Sequence, residues 1–173
     1  MRIFLWHGYL LRGTGSNEYT SALARTLIAQ GHDVTVFCQD PDAAEVDLGG
    51  CEVVRPTLPG RLPVFVLDNY SDAEPALVAD FSDAELAAYV RANAEAIRAA
   101  GPADLLIANH LILGGPVAAA TGLPFIVKAH GSELEYAMRG DPRLCGWASE
   151  SVRNSLRIVA GSDHIKRVVL DLL

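Results

Sequence analysis

Residues 1–38 read MRIFLWHGYLLRGTGSNEYTSALARTLIAQGHDVTVFC. Arg2 to Trp6 is a short apolar run and reads as a first strand. Residues 7 to 16 carry Gly8, Gly13 and Gly15 and read as a loop. From about Asn17 to Gln30 the spacing of Tyr19, Leu23 and Leu27 is helical. Gly31 is placed to end that helix. Val34 to Cys38 is a second apolar run. Strand, loop, helix and strand make one βαβ unit, which predicts a parallel sheet.

The same alternation continues outward from this unit. Glu52 to Val54 reads as a third strand. Residues 56 to 80 hold Pro56, Pro59, Pro63 and Pro75, with the acids Asp68, Asp72, Glu74 and Asp80. They read as a long loop or insertion, a kind of segment that often carries function in α/β domains. Ser82-x-x-Glu85 is a capping box opening a helix to about Ala100. Gly101-Pro102 stops it. Asp104 to Ala108 reads as a strand, and a short helix follows from about Pro116 to Ala120. Thr121-Gly122-Leu123-Pro124 turns into a strand from Phe125 to Ala129. Ser132-x-x-Glu135 predicts a second capping box directly after His130-Gly131. A helix over about Ala148 to Ser155, a strand over Arg157 to Ala160 and a final helix after Gly161-Ser162-Asp163 complete the pattern. That helix meets Leu173 with no stop signal, which reads as the edge of a longer protein. The expected fold is an α/β, Rossmann-like three-layer sandwich with a mainly parallel sheet, forming one domain over 1–173.

Composition narrows the function classes. Half of the residues are apolar and only 7% are aromatic, so aliphatic side chains must fill the core. The formal net charge of -7 argues against a nucleic-acid surface, which needs clustered Lys and Arg. A local basic patch, and with it a peripheral membrane contact, stays open. Cys38, Cys51 and Cys145 are odd in number and widely spaced, so a disulfide framework or zinc site is not expected. Cys38 reads as a small buried residue. A reducing cytoplasm is the simplest compartment.

In an open parallel sheet, ligands bind beyond the carboxyl ends of the strands. The loop His7 to Ser16, the turn Asn109-His110 and the segment His130-Gly131-Ser132-Glu133 all fall there, with Ser162 as a further candidate. Gly13-Thr14-Gly15-Ser16-Asn17 precedes a helix, where free N–H groups favour phosphate. Ser16 or Asn17 could equally be an ordinary N-cap. His130, at a strand end, could donate to a sugar hydroxyl or phosphate. Glu133 has an ordinary electrostatic reason to sit in a first helical turn. A dinucleotide fingerprint is poorly matched: Glu18 stands where its third glycine belongs, and Gly13 lies seven residues past Trp6. A GK[ST] phosphate loop, a GxSxG elbow and metal spacings such as HExxH are absent from the sequence.

Taken in order, these segments resemble the retaining GT-B glycosyltransferases of family four, in the glycogen-synthase-like superfamily. The resemblance rests on Asn17 to Phe37, with its Leu23-Ala24-Arg25-x-Leu27 helix ending in Gly31-His32-Asp33-Val34-Thr35-Val36-Phe37. It also rests on Thr121 to Glu133, similar to their Gly-x-Pro-x-x-x-x-x-His-Gly segment, and on Ile158 to Ser162. The resemblance covers nearly the whole chain. One departure stands out: family members often carry Gly-Gly-x-Glu at the first loop-helix junction, where this chain has Thr14-Gly15-Ser16-Asn17.

The resemblance implies two Rossmann-like domains facing across a cleft. This chain would be the N-terminal, acceptor-side half of a GT-B fold. The C-terminal domain, which would grip a nucleotide-sugar through a Glu-x7-Glu motif, falls outside 1–173. The implied reaction is retaining sugar transfer to an acceptor the sequence does not name. The nucleotide-sugar is then a co-substrate, and neither cofactor nor essential metal is expected. The Gly15 loop would lie near the diphosphate, and His130 would act catalytically at the donor sugar. Gly13, Thr14, Gly15, Ser16, His110, Gly131, Ser132, Glu133 and Ser162 are the expected substrate-binding residues. Alone, the chain is expected to fold but not to transfer sugar. A Rossmann-like NAD(P)-binding oxidoreductase and a non-catalytic sugar-binding module are the alternatives.

Overall fold

The computed structural model describes residues 1–67 and 70–173, so Asp68, among the acids noted above, lies outside the described residues. Six strands form one parallel sheet in the order β3-β2-β1-β6-β7-β8. They are β1 (Arg2–Trp6), β2 (Asp33–Phe37), β3 (Glu52–Val54), β6 (Leu105–Asn109), β7 (Phe125–Lys128) and β8 (Arg157–Val159). The register is regular, with Phe4 opposite Thr35 on one side and Leu106 on the other. The Rossmann-like α/β architecture expected above is what the chain adopts.

Side chains alternate across a strand, and β1 shows it directly. Ile3 and Leu5 enter one apolar cluster; Phe4 and Trp6 enter another. The first cluster, with Val34, Val36 and the buried Cys38, is covered by α1 (Gly15–Ala29). The second carries most of the aromatic residues and is covered by α2 (Asp83–Ala99), α3 (Gly115–Thr121), α5 (Pro142–Val152) and α6 (Asp163–Leu172). These are the three layers. α2 is fixed to the sheet by a buried bond in which Trp6 Nε1–H donates to Asn93 Oδ1 at 3.0 Å. It starts at the expected capping box, in which Glu85 N donates to Ser82 Oγ and Ser82 N donates to Glu85 Oε2.

Two expectations need correction. The segment 56–80 is not only loop: β4 (Leu62–Val64) and β5 (Pro75–Leu77) pair in parallel as a second, two-stranded sheet. Pro63 and Pro75 lack N–H donors, which limits such strands to short edge pairings. The helix expected from Ala148 begins at Pro142. Asp141 caps it, its Oδ1 accepting from Arg143 N at 3.0 Å and Leu144 N at 3.1 Å. A capping acid followed by proline at the first helical position is a legible start signal.

Sheet order reverses between β1 and β6, the point where open α/β sheets form a ligand crevice. Beyond β6 the chain makes a π-helical turn over His110–Gly114 before α3. Such turns concentrate at functional sites. Gly114 is packed against the backbone of Asn109, and a Cβ there would run into the Asn109 carbonyl. Backbone cannot swing aside as a side-chain tip can. Gly114→Ala is therefore expected to cost about 2–4 kcal/mol. Urea unfolding measures this, and an unchanged midpoint would show that the turn has room to spare.

Candidate active site

The crevice at the switch point is a cavity of about 650 Å³. The loop after β1, the first turn of α1, the turn after β6, the end of β7 and the β4 segment all contribute to it. Of the expected site residues, Thr14, Gly15, Ser16, His110, His130, Gly131 and Ser132 line it. Gly13 does not, and its N–H donates to Glu18 Oε1 at 3.3 Å. Ser162 lines a separate cavity with Lys166 and Leu170, and its Oγ caps α6 by accepting from Ile165 N. Glu133 lies fully buried outside the cavity lining.

α1 starts at Gly15, earlier than a Ser16 or Asn17 cap would allow, and Thr14 at its N-cap makes no side-chain capping bond. The first N–H groups of a helix have no partner within it. Here they meet the cavity. Asn17 is instead buried and acts on β1: its Nδ2–H donates to Arg12 O at 2.6 Å, which turns its Oδ1 toward His7 Nε2 at 2.8 Å.

A second His–Asn pair is built the same way. Asn109 Nδ2–H donates to Thr20 Oγ1 at 3.2 Å and Trp6 O at 3.4 Å. A backbone carbonyl can only accept, so the Asn109 oxygen is the atom facing His130 Nε2 at 2.8 Å. Nε2 of His130 must then carry the proton, and Nδ1 keeps the lone pair. Burial, followed by the nearby Lys128 and His7, lowers the His130 pKa to about 3. The ring at this strand end is thus neutral, with its one N–H already engaged.

His110 sits between the pairs. It is buried, holds a positive φ of 71°, and neither ring nitrogen has a hydrogen-bond partner among the described residues. Its ring lies 4.7 Å from that of His130 and 5.7 Å from that of His7, measured between centroids. Burial, then the proximity of His130, His7 and Lys128, pushes its pKa well below the ordinary value. A non-glycine residue in this backbone region stores strain, and such strain collects at functional sites.

The expected Ser132–Glu135 capping box is not formed. α4 (Gly131–Glu133) begins two residues sooner, with His130 at its N-cap, and Glu133 reaches back to accept from His130 N at 3.0 Å. Its other oxygen accepts from Ile112 N at 3.1 Å. Glu135 turns outward and holds Arg139 in a two-pronged salt bridge at 2.7 and 3.0 Å. Glu133 therefore ties the turn after β6 to the loop after β7. Burial raises its pKa to about 8, against the opposing pull of backbone N–H groups from His130, Ile112 and Leu111. The sequence gives its identity and position; its burial and its bond to Ile112 are tertiary.

The apolar wall formed by Tyr9, Val64, Phe65, Val66 and Leu67 was not anticipated. The apolar run from Leu62 to Leu67, broken only by Pro63, is the available signal.

The fold and cavity define a Rossmann-like domain with a ligand crevice at the switch point of its sheet. Residues 14–172 match the family of glycosyl transferase 4-like domains, and the chain belongs to that family. No curated protein sequence matches it. Among solved structures it is similar to MurG of Acinetobacter baumannii, at 13% identity and a TM-score of 0.53, over 93% of this chain and 41% of that one. The calicheamicin glycosyltransferase CalG4 aligns at 22% identity and a TM-score of 0.45, over 98% of this chain and 41% of that one. The kitacinnamycin glycosyltransferase aligns at 21% and 0.48, over 98% and 43%. The chain thus spans less than half the length of each.

The buried groups predict a pH profile of stability. His7, with a pKa lowered to about 4 by burial, His110 and His130 stay neutral in the folded chain and take protons near 6.5 when unfolded, so acid favours unfolding. Glu133 acts oppositely: between 4.5 and about 8 the folded chain keeps a proton that the unfolded chain has lost, so stability falls as pH rises. Three histidines outweigh one carboxyl on the acid side. The thermal midpoint is expected to peak at about pH 6.5 and decline toward pH 8. Glu133→Gln should abolish the decline and leave the acid limb. A wild-type midpoint that is flat or rising from pH 6.5 to 8 would contradict the buried acid.

Proposed function

We propose that this chain is the acceptor-side domain of a retaining GT-B glycosyltransferase. A second domain binds the nucleotide-sugar, and no essential metal is assigned to the reaction. The carrying observation is that the uncapped amino end of α1 and the neutral His130 share one cavity at the switch point. Family membership supports the reaction class.

In this reading the acceptor hydroxyl oxygen bonds to the anomeric carbon as the bond from that carbon to the diphosphate oxygen breaks. The electron pair leaves with the diphosphate, and the hydroxyl proton passes to a phosphate oxygen. Free N–H groups at Gly15 and Ser16 stabilise the charge that develops, as aligned donors in a water-poor site do. His130 contacts the donor sugar through Nδ1, which accepts from a sugar hydroxyl. Asn109 sets which nitrogen that is. Glu133 holds the His130 backbone in place. The cytoplasm, with its pool of nucleotide-sugars, is the proposed compartment.

The test is sugar transfer, followed by mass spectrometry of the products. The chain joined to a nucleotide-sugar-binding domain is expected to transfer, and the 173-residue chain alone is not. His130→Ala in the joined protein should lower the rate about 10²- to 10³-fold. Equal rates from chain and joined protein, or hydride transfer to a bound nicotinamide, would overturn the reading.

A further inference from the structure

Three features of the cavity act together on the choice of ligand. First, its lining carries no Asp, Glu, Lys or Arg among the described residues, and burial keeps His110 and His130 neutral. Away from the amino end of α1, a charged group set against this lining would leave water without an ionic partner, which is costly. Second, one wall is apolar and built for contact. Tyr9 spends its hydroxyl on Pro63 O at 3.0 Å and shows the cavity its ring, while Phe65 packs against Tyr9 and His110 at 5.6 and 4.9 Å between centroids. Third, Val66 and Leu67 continue that wall and are 54% and 61% exposed. A contiguous exposed apolar surface beside a polar one marks a binding face. The same lining carries the hydroxyl residues Thr14, Ser16 and Ser132, together with His130.

The geometry points to an uncharged ligand with an apolar ring system and at least one hydroxyl. The ring lies on Phe65, Val66 and Leu67, and the hydroxyl reaches the His130 side. A cavity of about 650 Å³ is of the size that takes such a molecule. That this ligand is the sugar acceptor rests on the transferase reading above. The ligand class rests on the lining alone.

The neutral aryl alcohol 2-naphthol is a direct probe, titrated into the 173-residue chain at neutral pH by calorimetry, beside glucose. Saturable binding of 2-naphthol is expected, with weaker or no binding of glucose. Val66→Asp and Leu67→Asp should each weaken it about tenfold, since a charge replaces apolar contact. Both side chains are exposed, so the fold should tolerate the change, and circular dichroism verifies this. Leu170→Asp, at an equally exposed leucine on α6, should leave binding unchanged. Tighter binding of glucose, or 2-naphthol binding indifferent to Val66→Asp, overturns the inference. The transferase reading fails separately. If 2-naphthol binds but the joined protein transfers no sugar, the ligand class stands and the reaction falls. If sugar is placed only on charged acceptors, the reaction stands and the ligand class falls.

Discussion

The site depends on one buried amide. Asn109 ends β6 where the order of the sheet reverses, and its side-chain hydrogen bonds reach three different elements around the crevice. Its oxygen accepts a hydrogen bond from His130 Nε2–H, just past β7; its nitrogen donates to Thr20 on α1 and to the carbonyl of Trp6 on β1. An acid at this position could not donate, and an apolar residue could do neither. In a dry interior each bond left unmade costs its full desolvation penalty. The relative placement of β1, α1 and the loop after β7 therefore rests on a side chain that a ligand need never touch.

Much of this arrangement is legible in the sequence. The strands of the main sheet, the long first helix and the Ser82 cap follow from local periodicity and turn chemistry. The placing of residues near 14, 110 and 130 beyond the carboxyl ends of the strands follows from the order of elements, while the switch point itself needs the strand order of the folded sheet. What was not legible is tertiary. Glu133 sits in a first helical turn, a place where an acid is usually solvated, and only its contact with Ile112 N shows that it is buried. The apolar run at 62–67 is interrupted by Pro63, which speaks against a strand until a two-stranded edge sheet is allowed for. Asn17 looks like a helix cap in sequence; the helix starts earlier and frees it to bind His7.

The electrostatic character of the crevice is set by exclusion of water rather than by charge. Three histidines meet there and all are held neutral by burial. Two have their Nε2 protons assigned by asparagines. Polarity at the cavity thus comes from lone pairs, hydroxyls and helix N–H groups, which orient a ligand without carrying net charge. In the proposed transfer, the diphosphate would bring the negative charge, and the amino end of α1 is where the domain can receive it.

The alternation along β1 has a further consequence. Ile3 and Leu5 belong to one core and Phe4 and Trp6 to the other, and His7 follows directly. Trp6, locked to Asn93, fixes the phase of the strand. A slip by one residue would exchange the two cores and turn His7 to the opposite face of the sheet. The strand is in this sense a ruler whose last mark is in the crevice. The precision of the site is thus inherited from the packing of two large side chains, Phe4 and Trp6, that never reach it.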